Sequence, residues 1–410
     1  MDPQQDPNGK SAPDWGVYAN ARIPGGILEH LRKGEPWVFR DGMCNLAELC
    51  ERLPQGGWVR LTTDGRRGKP GGLALFDAEN AISLRVLDTS RALVAPRSLL
   101  RQRLALAHRV RAPLLRSGET TAVRAVHGEG DRLPGLTADY YDGLLVYRPD
   151  CGAWLPYLQE ASNALGEHLP IRAVYLQYGG DKKWIAGTLS LPHDFQENGH
   201  RFGVHPALGQ KSGFFLDMRP NRAHVERISH GLRVLNVFAY TGAFTVYALR
   251  GGAARVVNVD SARAALEAAK RHVGLAGHLV DDDDFIVADA FEYLETMAKV
   301  GATDRGAYDL IILDPPSFAH SRKSVPKALE AYVRLNTLAL QRLGRGQYLA
   351  TASCSSRVSP AQFAEAVERA ARDARRRLRL LYAHHAGEDH PVAVGSGLEP
   401  YLKFHHYLVE

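Results

Sequence analysis

The second half of the chain repeats one pattern: a short apolar run, a polar turn, then a stretch with helical periodicity. Arg233-Val-Leu-Asn-Val-Phe238 leads into Ala239-Tyr-Thr-Gly-Ala243, Arg255-Val-Val-Asn-Val259 ends in Asp260, Phe285-Ile-Val-Ala288 ends in Asp289, and Tyr308-Asp-Leu-Ile-Ile-Leu313 ends in Asp314. Strands that alternate with crossover-length helices build a parallel sheet. Three acids that end successive strands then collect at one sheet edge, where open α/β sheets bind ligands. Pro315 and Pro316 follow Asp314 and cannot continue a strand, so they stiffen the loop that holds that carboxylate.

The pattern continues to the C-terminus. A fifth strand, Gln347-Tyr-Leu-Ala-Thr351, runs into Ser353-Cys-Ser355. Ser359-Pro-Ala-Gln362 has capping-box spacing with proline at the first helical position. Leu378–Ala383 and Tyr401–Val409 close the sheet. The last is expected to be antiparallel, because no helix-length connection fits tightly before it. Asp260 or Ser261 is expected to cap the helix after the second strand. The fold class is α/β, a mostly parallel seven-stranded Rossmann-like sheet.

Upstream, residues 26 to 88 read as a small β-rich domain, and Ser98–Leu115 as a connecting helix. A mixed α+β segment follows, with hairpin signals at Asp142-Gly143 and Asn198-Gly199. The expected boundaries are a disordered tail over 1–20, a β-barrel-like domain over 21–92, a central α+β domain over 93–205 and the parallel-sheet domain over 206–410. A chain of 410 residues accommodates this count. The N-terminus lacks a signal pattern, and no apolar run reaches membrane-spanning length. Four cysteines without zinc spacing suggest no metal and a reducing cytoplasm. The net charge of +6 permits a polyanionic partner without requiring one. The cations of Asp64-Gly-Arg-Arg-Gly-Lys69 read as a solvated hairpin tip or a phosphate contact.

Asp260 stands 18 residues after Gly242, near the spacing of about 20 at which an acid reaches ribose hydroxyls. A dinucleotide fingerprint would need Gly-x-Gly-x-x-Gly, whereas Phe238-Ala-Tyr-Thr-Gly-Ala-Phe244 carries one glycine. That suits close approach of a ligand without a pyrophosphate. S-adenosylmethionine fits best: ribose on Asp260, adenine near Asp289, the methionine end near the glycine turn. Cys354 ends the strand after Asp314's and should open on the same crevice. A lone cysteine is commonly a buried, inert side chain. In this position it is also the nucleophile that C5 methylation of a pyrimidine needs, because C5 is unreactive until something adds at C6. Asp314 would then hydrogen-bond the N3/N4 edge of a cytosine.

Asp314-Pro-Pro-Ser-Phe318 with Ser353-Cys-Ser355 resembles the 23S rRNA cytosine-C5 methyltransferase I family, and the likeness runs through nearly the whole chain. Gly34-Glu-Pro-Trp-Val-Phe39 looks like that family's N-terminal PUA domain, an RNA-binding β-barrel. Val126-His-Gly-Glu-Gly-Asp131 with Leu133-Pro-Gly-Leu136 is similar to its central domain. Glu197-Asn-Gly199, Gly209 to Arg219, Asn221-Arg222 and Tyr401-Leu-Lys403 match further segments. Ser355-Ser-Arg357 stands where the family often has Ser-His-His.

The resemblance implies a class I S-adenosylmethionine-dependent methyltransferase acting on 23S rRNA. Cys354 would be the nucleophile and Asp314 its catalytic partner. The cofactor would lie against Phe238, Tyr240, Thr241, Gly242, Asp260, Asp289 and Ala290. Asp217, Arg219 and Arg222 would lie near it too, or else form an ion-pair network. Lys211 is either an RNA contact or a surface lysine. Pro315, Pro316, Arg322 and Lys323 would meet the substrate. The likeness also allows a homodimer, for which the chain itself offers no clear interface. Two rivals stand beside this reading: methylation of another base atom, such as guanine N7, with Cys354 structural; and an RNA-binding assembly factor without catalysis.

Overall fold

The computed structural model describes residues 15–65, 68–92, 94–209, 211–299, 308–319 and 321–410. Two compact units divide the chain. The first runs to residue 193 and adds 204–213 and 388–398; the second comprises 194–203, 214–387 and 399–410.

The second unit is built on a seven-stranded sheet: β1 (Arg233–Val237), β2 (Arg255–Asp260), β3 (Phe285–Val287), β4 (Leu310–Leu313), β5 (Tyr348–Ser353), β6 (Leu378–His384) and β7 (Lys403–Val409). Their spatial order is β3-β2-β1-β4-β5-β7-β6. β1 to β5 are mutually parallel, and β7 is antiparallel to both β5 and β6, as the connection lengths anticipate. The helices are α1 (Ala243–Arg250), α2 (Arg263–Leu275), α3 (Ala290–Lys299), α4 (Val325–Arg342) and α5 (Pro360–Asp373).

Helices on both faces explain the unbroken apolar strands. All four residues of β4 are fully buried, and alternate positions feed opposite faces. Leu235, Val237, Ile311 and Leu313 join Tyr332 of α4 and Phe363 of α5 in one core. Val234, Leu310 and Ile312 join Phe244 of α1 and Phe404 of β7 in the other. The capping box of α5 forms: the Ser359 hydroxyl accepts from the Gln362 N–H, and the Gln362 side chain accepts from the Ser359 N–H. The expected cap on α2 does not form. Ala262 occupies that position with no side-chain cap. The Asp260 carboxylate takes the Ala262 N–H instead, because β2 runs to Asp260 and only Ser261 and Ala262 separate it from α2.

The first unit holds two five-stranded sheets. One orders Val17–Ile23, Trp58–Thr63, Pro70–Phe76, Ile82–Asp88 and Trp37–Phe39. Val17–Ile23 pairs parallel with Trp58–Thr63, so residues 17–20, expected in the tail, belong to a strand. The signal was available: burial along this strand follows its alternation of apolar Val17, Ala19, Ala21 and Ile23 with polar Tyr18, Asn20 and Arg22. The other sheet orders Asp181–Ala186, Ala173–Tyr178, Leu144–Tyr147, Thr137–Tyr141 and Ala122–His127. Asp142 and Gly143 turn its hairpin with φ of 40° and 98°, the left-handed pair of a type I′ turn. Arg66 and Arg67 of the cationic turn lie outside the described residues.

Candidate active site

Strand order reverses between β1 and β4, which makes their carboxyl ends a topological switch point. Register aligns the ends. Val287 of β3 lies opposite Asp260, Val259 opposite Val237, Val237 opposite Leu313, and Leu313 opposite Thr351. Asp289, Asp260, the Phe238 turn, Asp314 and the segment carrying Cys354 therefore follow one another along a single edge. The Asp314 N–H still reaches the Val237 carbonyl at 3.3 Å, which ties the Asp314 loop to the turn after β1.

That turn is strained. Phe238, Tyr240 and Gly242 have φ of 60°, 47° and 70°. Bulky residues rarely adopt the left-handed region, and such conformations persist where the surroundings enforce them. Asp260 enforces this one: its Oδ2 accepts from the Tyr240 N–H at 2.8 Å while its Oδ1 accepts from Ala262. His272 of α2 also contributes. It accepts the Gly203 N–H at Nε2, so Nδ1 carries the proton and donates to the Thr241 carbonyl at 2.8 Å. Burial lowers the pKa of His272 and keeps the ring neutral for that role. Beneath the turn, Asn236 donates to the Thr245 hydroxyl, which bonds Asn258, a buried polar link between β1, α1 and β2. Gly242 is required by its own φ and by packing: a Cβ there would lie 2.7 Å from the Ala269 Cβ of α2. The glycine therefore serves the approach of α2 to the turn. Phe215 packs edge-on against Tyr240.

The donor set fits an adenosine-bearing group. Asp260 is half-buried and Asp289 exposed at adjacent strand ends, and Asp289 also caps α3 through the Phe291 and Glu292 N–H groups. Carboxylates there accept ribose and base N–H or O–H donors and repel a phosphate. Ala290 begins α3 and is buried.

On the other side of the switch point, the proline loop and the cysteine segment interlock. The Cys354 thiol lies 3.7 Å from the Pro315 carbonyl oxygen and donates to it. Cys354 and Asp314 are each partly exposed, Pro315 is buried and Pro316 exposed. Hydroxyls of Ser317 and Ser355 meet at 3.0 Å, and the fully buried Tyr332 of α4 reaches Ser355 at the same distance. Burial raises the Tyr332 pKa, so the phenol stays protonated. Phe318 packs 4.9 Å from the Tyr332 ring and also against Phe291 of α3. Lys403 closes the arrangement from β7: its buried ammonium donates to the carbonyls of Ser355, Val358 and Tyr401 at 2.7, 2.8 and 2.9 Å.

The remaining expected site residues lie in two places. Arg222 and Arg219, on the helix Arg219–Ile228, are buried around Glu197. Arg222 forks onto Glu197 at 2.6–2.8 Å and donates to the Phe215 carbonyl, Arg219 lies 3.4 Å from the same carboxylate, and the Tyr247 hydroxyl donates to it. Asp217 accepts from the Tyr401 hydroxyl at 2.5 Å. Arg322 and Lys323 are exposed in a single turn, Arg322–Ser324, between the proline loop and α4. Sequence reasoning missed Tyr332, His272 and Lys403. Lys403 at the start of the strand Lys403–Val409, within Tyr401-Leu-Lys403, was the one available signal.

Comparison with known proteins gives the family and the fold. The family model described as S-adenosylmethionine-dependent methyltransferase matches residues 158–383, and a PUA-like domain model matches 26–89. A ribosomal RNA large subunit methyltransferase of Deinococcus radiodurans is 37% identical over 88% of this chain and 91% of its own. A ribosomal RNA large subunit methyltransferase I of Shewanella denitrificans is 32% identical over 93% of this chain and 97% of its own. Among solved structures, a methyltransferase complexed with SAH superposes with a TM-score of 0.80 at 22% identity, covering 95% of this chain and all of that one. At that identity the likeness concerns the fold.

Proposed function

We propose that this chain, which belongs to the family of S-adenosylmethionine-dependent large-subunit rRNA methyltransferases, methylates C5 of a cytosine in 23S rRNA through a covalent adduct between Cys354 and C6. The observation that carries the proposal is the contact of the Cys354 thiol with the Pro315 carbonyl, beside Asp314 and at the edge that holds the cofactor acids. A structural cysteine would be expected inside the core. This one is partly exposed at the mouth of the site.

The flipped-out base would enter between the Pro315-Pro316 loop and the cysteine segment, at an unstacking cost of a few kcal/mol. The Asp314 carboxylate accepts a hydrogen bond from the N4 amino group of cytosine, holding C6 over the sulfur. The thiolate adds to C6, and C5 becomes enamine-like. When bound, S-adenosylmethionine supplies the electrophilic methyl group. A water molecule then takes the C5 proton, the C5–H electron pair re-forms the C5=C6 double bond, and the C6–S bond breaks so that the sulfur leaves as thiolate. Asp260 and the Phe238–Gly242 turn would hold ribose and methionine portions, with Asp289 and Ala290 near adenine. Asp217, Arg219 and Arg222 act on the cofactor indirectly, since their charges are engaged with Glu197 and Tyr401 and Phe215 leans on Tyr240. Arg322 and Lys323 would meet RNA phosphates next to the site.

The test is methylation of 23S rRNA with labelled cofactor, followed by mapping of the modified base. The expected product is 5-methylcytosine, and Cys354→Ala should form none while still binding cofactor. Undiminished methylation by that variant, or label on another base atom, overturns the covalent C5 mechanism.

A further inference from the structure

Among the described residues, Lys403 is the one buried lysine, and nothing in the reaction so far uses it. It is 1% exposed. In the ladder it stands opposite Ser353, the residue before Cys354. Two of the three carbonyls that hold its ammonium, Ser355 and Val358, belong to the turn that follows the cysteine. Carbonyl dipoles satisfy the three N–H groups but leave a full positive charge within electrostatic reach of the Cys354 sulfur. Among the described residues, Lys403 forms no ion pair with a carboxylate. A buried cation without a counterion is costly. The groups near it that carry or can take a negative charge are Glu399 and the Cys354 sulfur, and of these the sulfur has the larger effect.

We propose that Lys403 is the positioning residue of Cys354: its buried ammonium clasps the turn after the cysteine and stabilises the thiolate there. The proposal rests on the reading of Cys354 as nucleophile for its catalytic meaning, though not for its electrostatics. Burial brings the Lys403 pKa to about 8, with the Cys354 sulfur and Glu399 acting the other way, so the ammonium persists at neutral pH. Arg357, in the clasped turn itself, is the other cation on this side. His405 of β7 is held near 4 by burial, with His385 and Lys403 repelling its proton. Tyr332 of α4 stays a neutral phenol. The acids on this side are Asp314, at the end of the neighbouring strand, and Glu399, which attracts the Lys403 ammonium. A thiol near a fixed cation loses its proton at lower pH and is nucleophilic in proportion. The released proton goes to solvent through the partly exposed face of Cys354.

The experiment uses the full-length protein and follows iodoacetamide alkylation of each cysteine by peptide mass spectrometry between pH 6 and 10. The exposed Cys44 and Cys50 serve as references in the same sample. The expected midpoint for Cys354 lies at least one pH unit below those of Cys44 and Cys50. Lys403→Met should raise it by a unit or more, about a tenfold slower alkylation at pH 7, and Lys403→Arg should restore most of the shift. A purely structural lysine would change the accessibility of Cys354, and so its limiting rate, without moving the midpoint. An unmoved midpoint in folded Lys403→Met overturns the proposal. If that variant does not fold, a wild-type Cys354 midpoint at or above the references overturns it equally. Activity of Cys354→Ala is read separately: full methylation there sinks the nucleophile reading and leaves the alkylation result to judge the Lys403–Cys354 coupling.

Discussion

The hydroxyl of Ser355 lies 3.0 Å from that of Ser317, which stitches the segment after Cys354 to the loop after Asp314 across 38 residues of sequence. The thiol contact to Pro315 and the Tyr332 bond to Ser355 make the same connection. Two strand ends that parallel register only brings near are thereby locked into one geometry. Precise placement of reacting groups is worth orders of magnitude in rate.

Ser317→Ala should therefore slow single-turnover methylation by about tenfold, the equivalent of ~1.4 kcal/mol, with cofactor affinity unchanged. Rapid-quench kinetics and calorimetric titration separate the two. A weakened cofactor with an unaltered turnover rate would show that the stitch serves the other half of the site.

Asp260→Ala removes the acceptor that holds Tyr240 in its left-handed conformation. The turn should relax, and the dissociation constant for S-adenosylmethionine should rise at least tenfold in titration calorimetry. Hydrogen bonds to a carboxylate contribute roughly 1.5–3 kcal/mol, so a smaller change than threefold would exclude this role.

Gly242→Ala meets both a φ of 70° and the Ala269 Cβ at 2.7 Å. Strain of this kind costs on the order of 1–3 kcal/mol, so thermal unfolding should move down by several degrees. Adding Ala269→Gly should recover the steric part alone.

Glu197→Ala leaves Arg222 and Arg219 buried without their carboxylate. Breaking a buried pair by removing one partner costs about 3–5 kcal/mol, and the urea midpoint should fall accordingly. A loss below 1 kcal/mol would mean that water or backbone replaces Glu197.

Acid should destabilise the second unit through His224 and His406, whose rings share a bond at 3.0 Å. Burial lowers both to about 4 from 6.5, with mutual repulsion and Arg227 adding to His224. Between those values the unfolded chain binds protons that the folded chain refuses. Stability is thus complete above pH 6.5 and declines as pH falls towards 4, by on the order of 3 kcal/mol for one such group. Urea titrations across this window should show the slope, and His224→Phe should flatten it. A wild-type midpoint constant from pH 7 to 4.5 would contradict the assignment.

Much of the sheet was legible because its signals are local. The apolar runs, the strand-ending acids, the Ser359–Gln362 box and the Asn198-Gly199 and Asp142-Gly143 turns each depend on a few neighbouring residues, and the structure keeps them. The cap on α2 failed because helix starts shift by a residue or two, enough to turn Asp260 from α2's cap to the Tyr240 turn. For Arg219 and Arg222, spacing left open a cofactor contact or an ion-pair network, since nothing near them in the chain announces Glu197.

The sequence by itself determined the order of chemistry along one edge: acids after three strands and a cysteine after the next, because a parallel sheet delivers successive strand ends to the same side. Only the tertiary structure decided what each group does there. Glu197 lies 25 residues from Arg222, and Lys403 48 from Ser355. Whether a charge is neutralised, stranded or aimed at a thiol depends on which partners burial assembles around it. The physical reason is that electrostatic and hydrogen-bond energies are set by distances in space and by desolvation, and neither is written in the separation of residues along a chain.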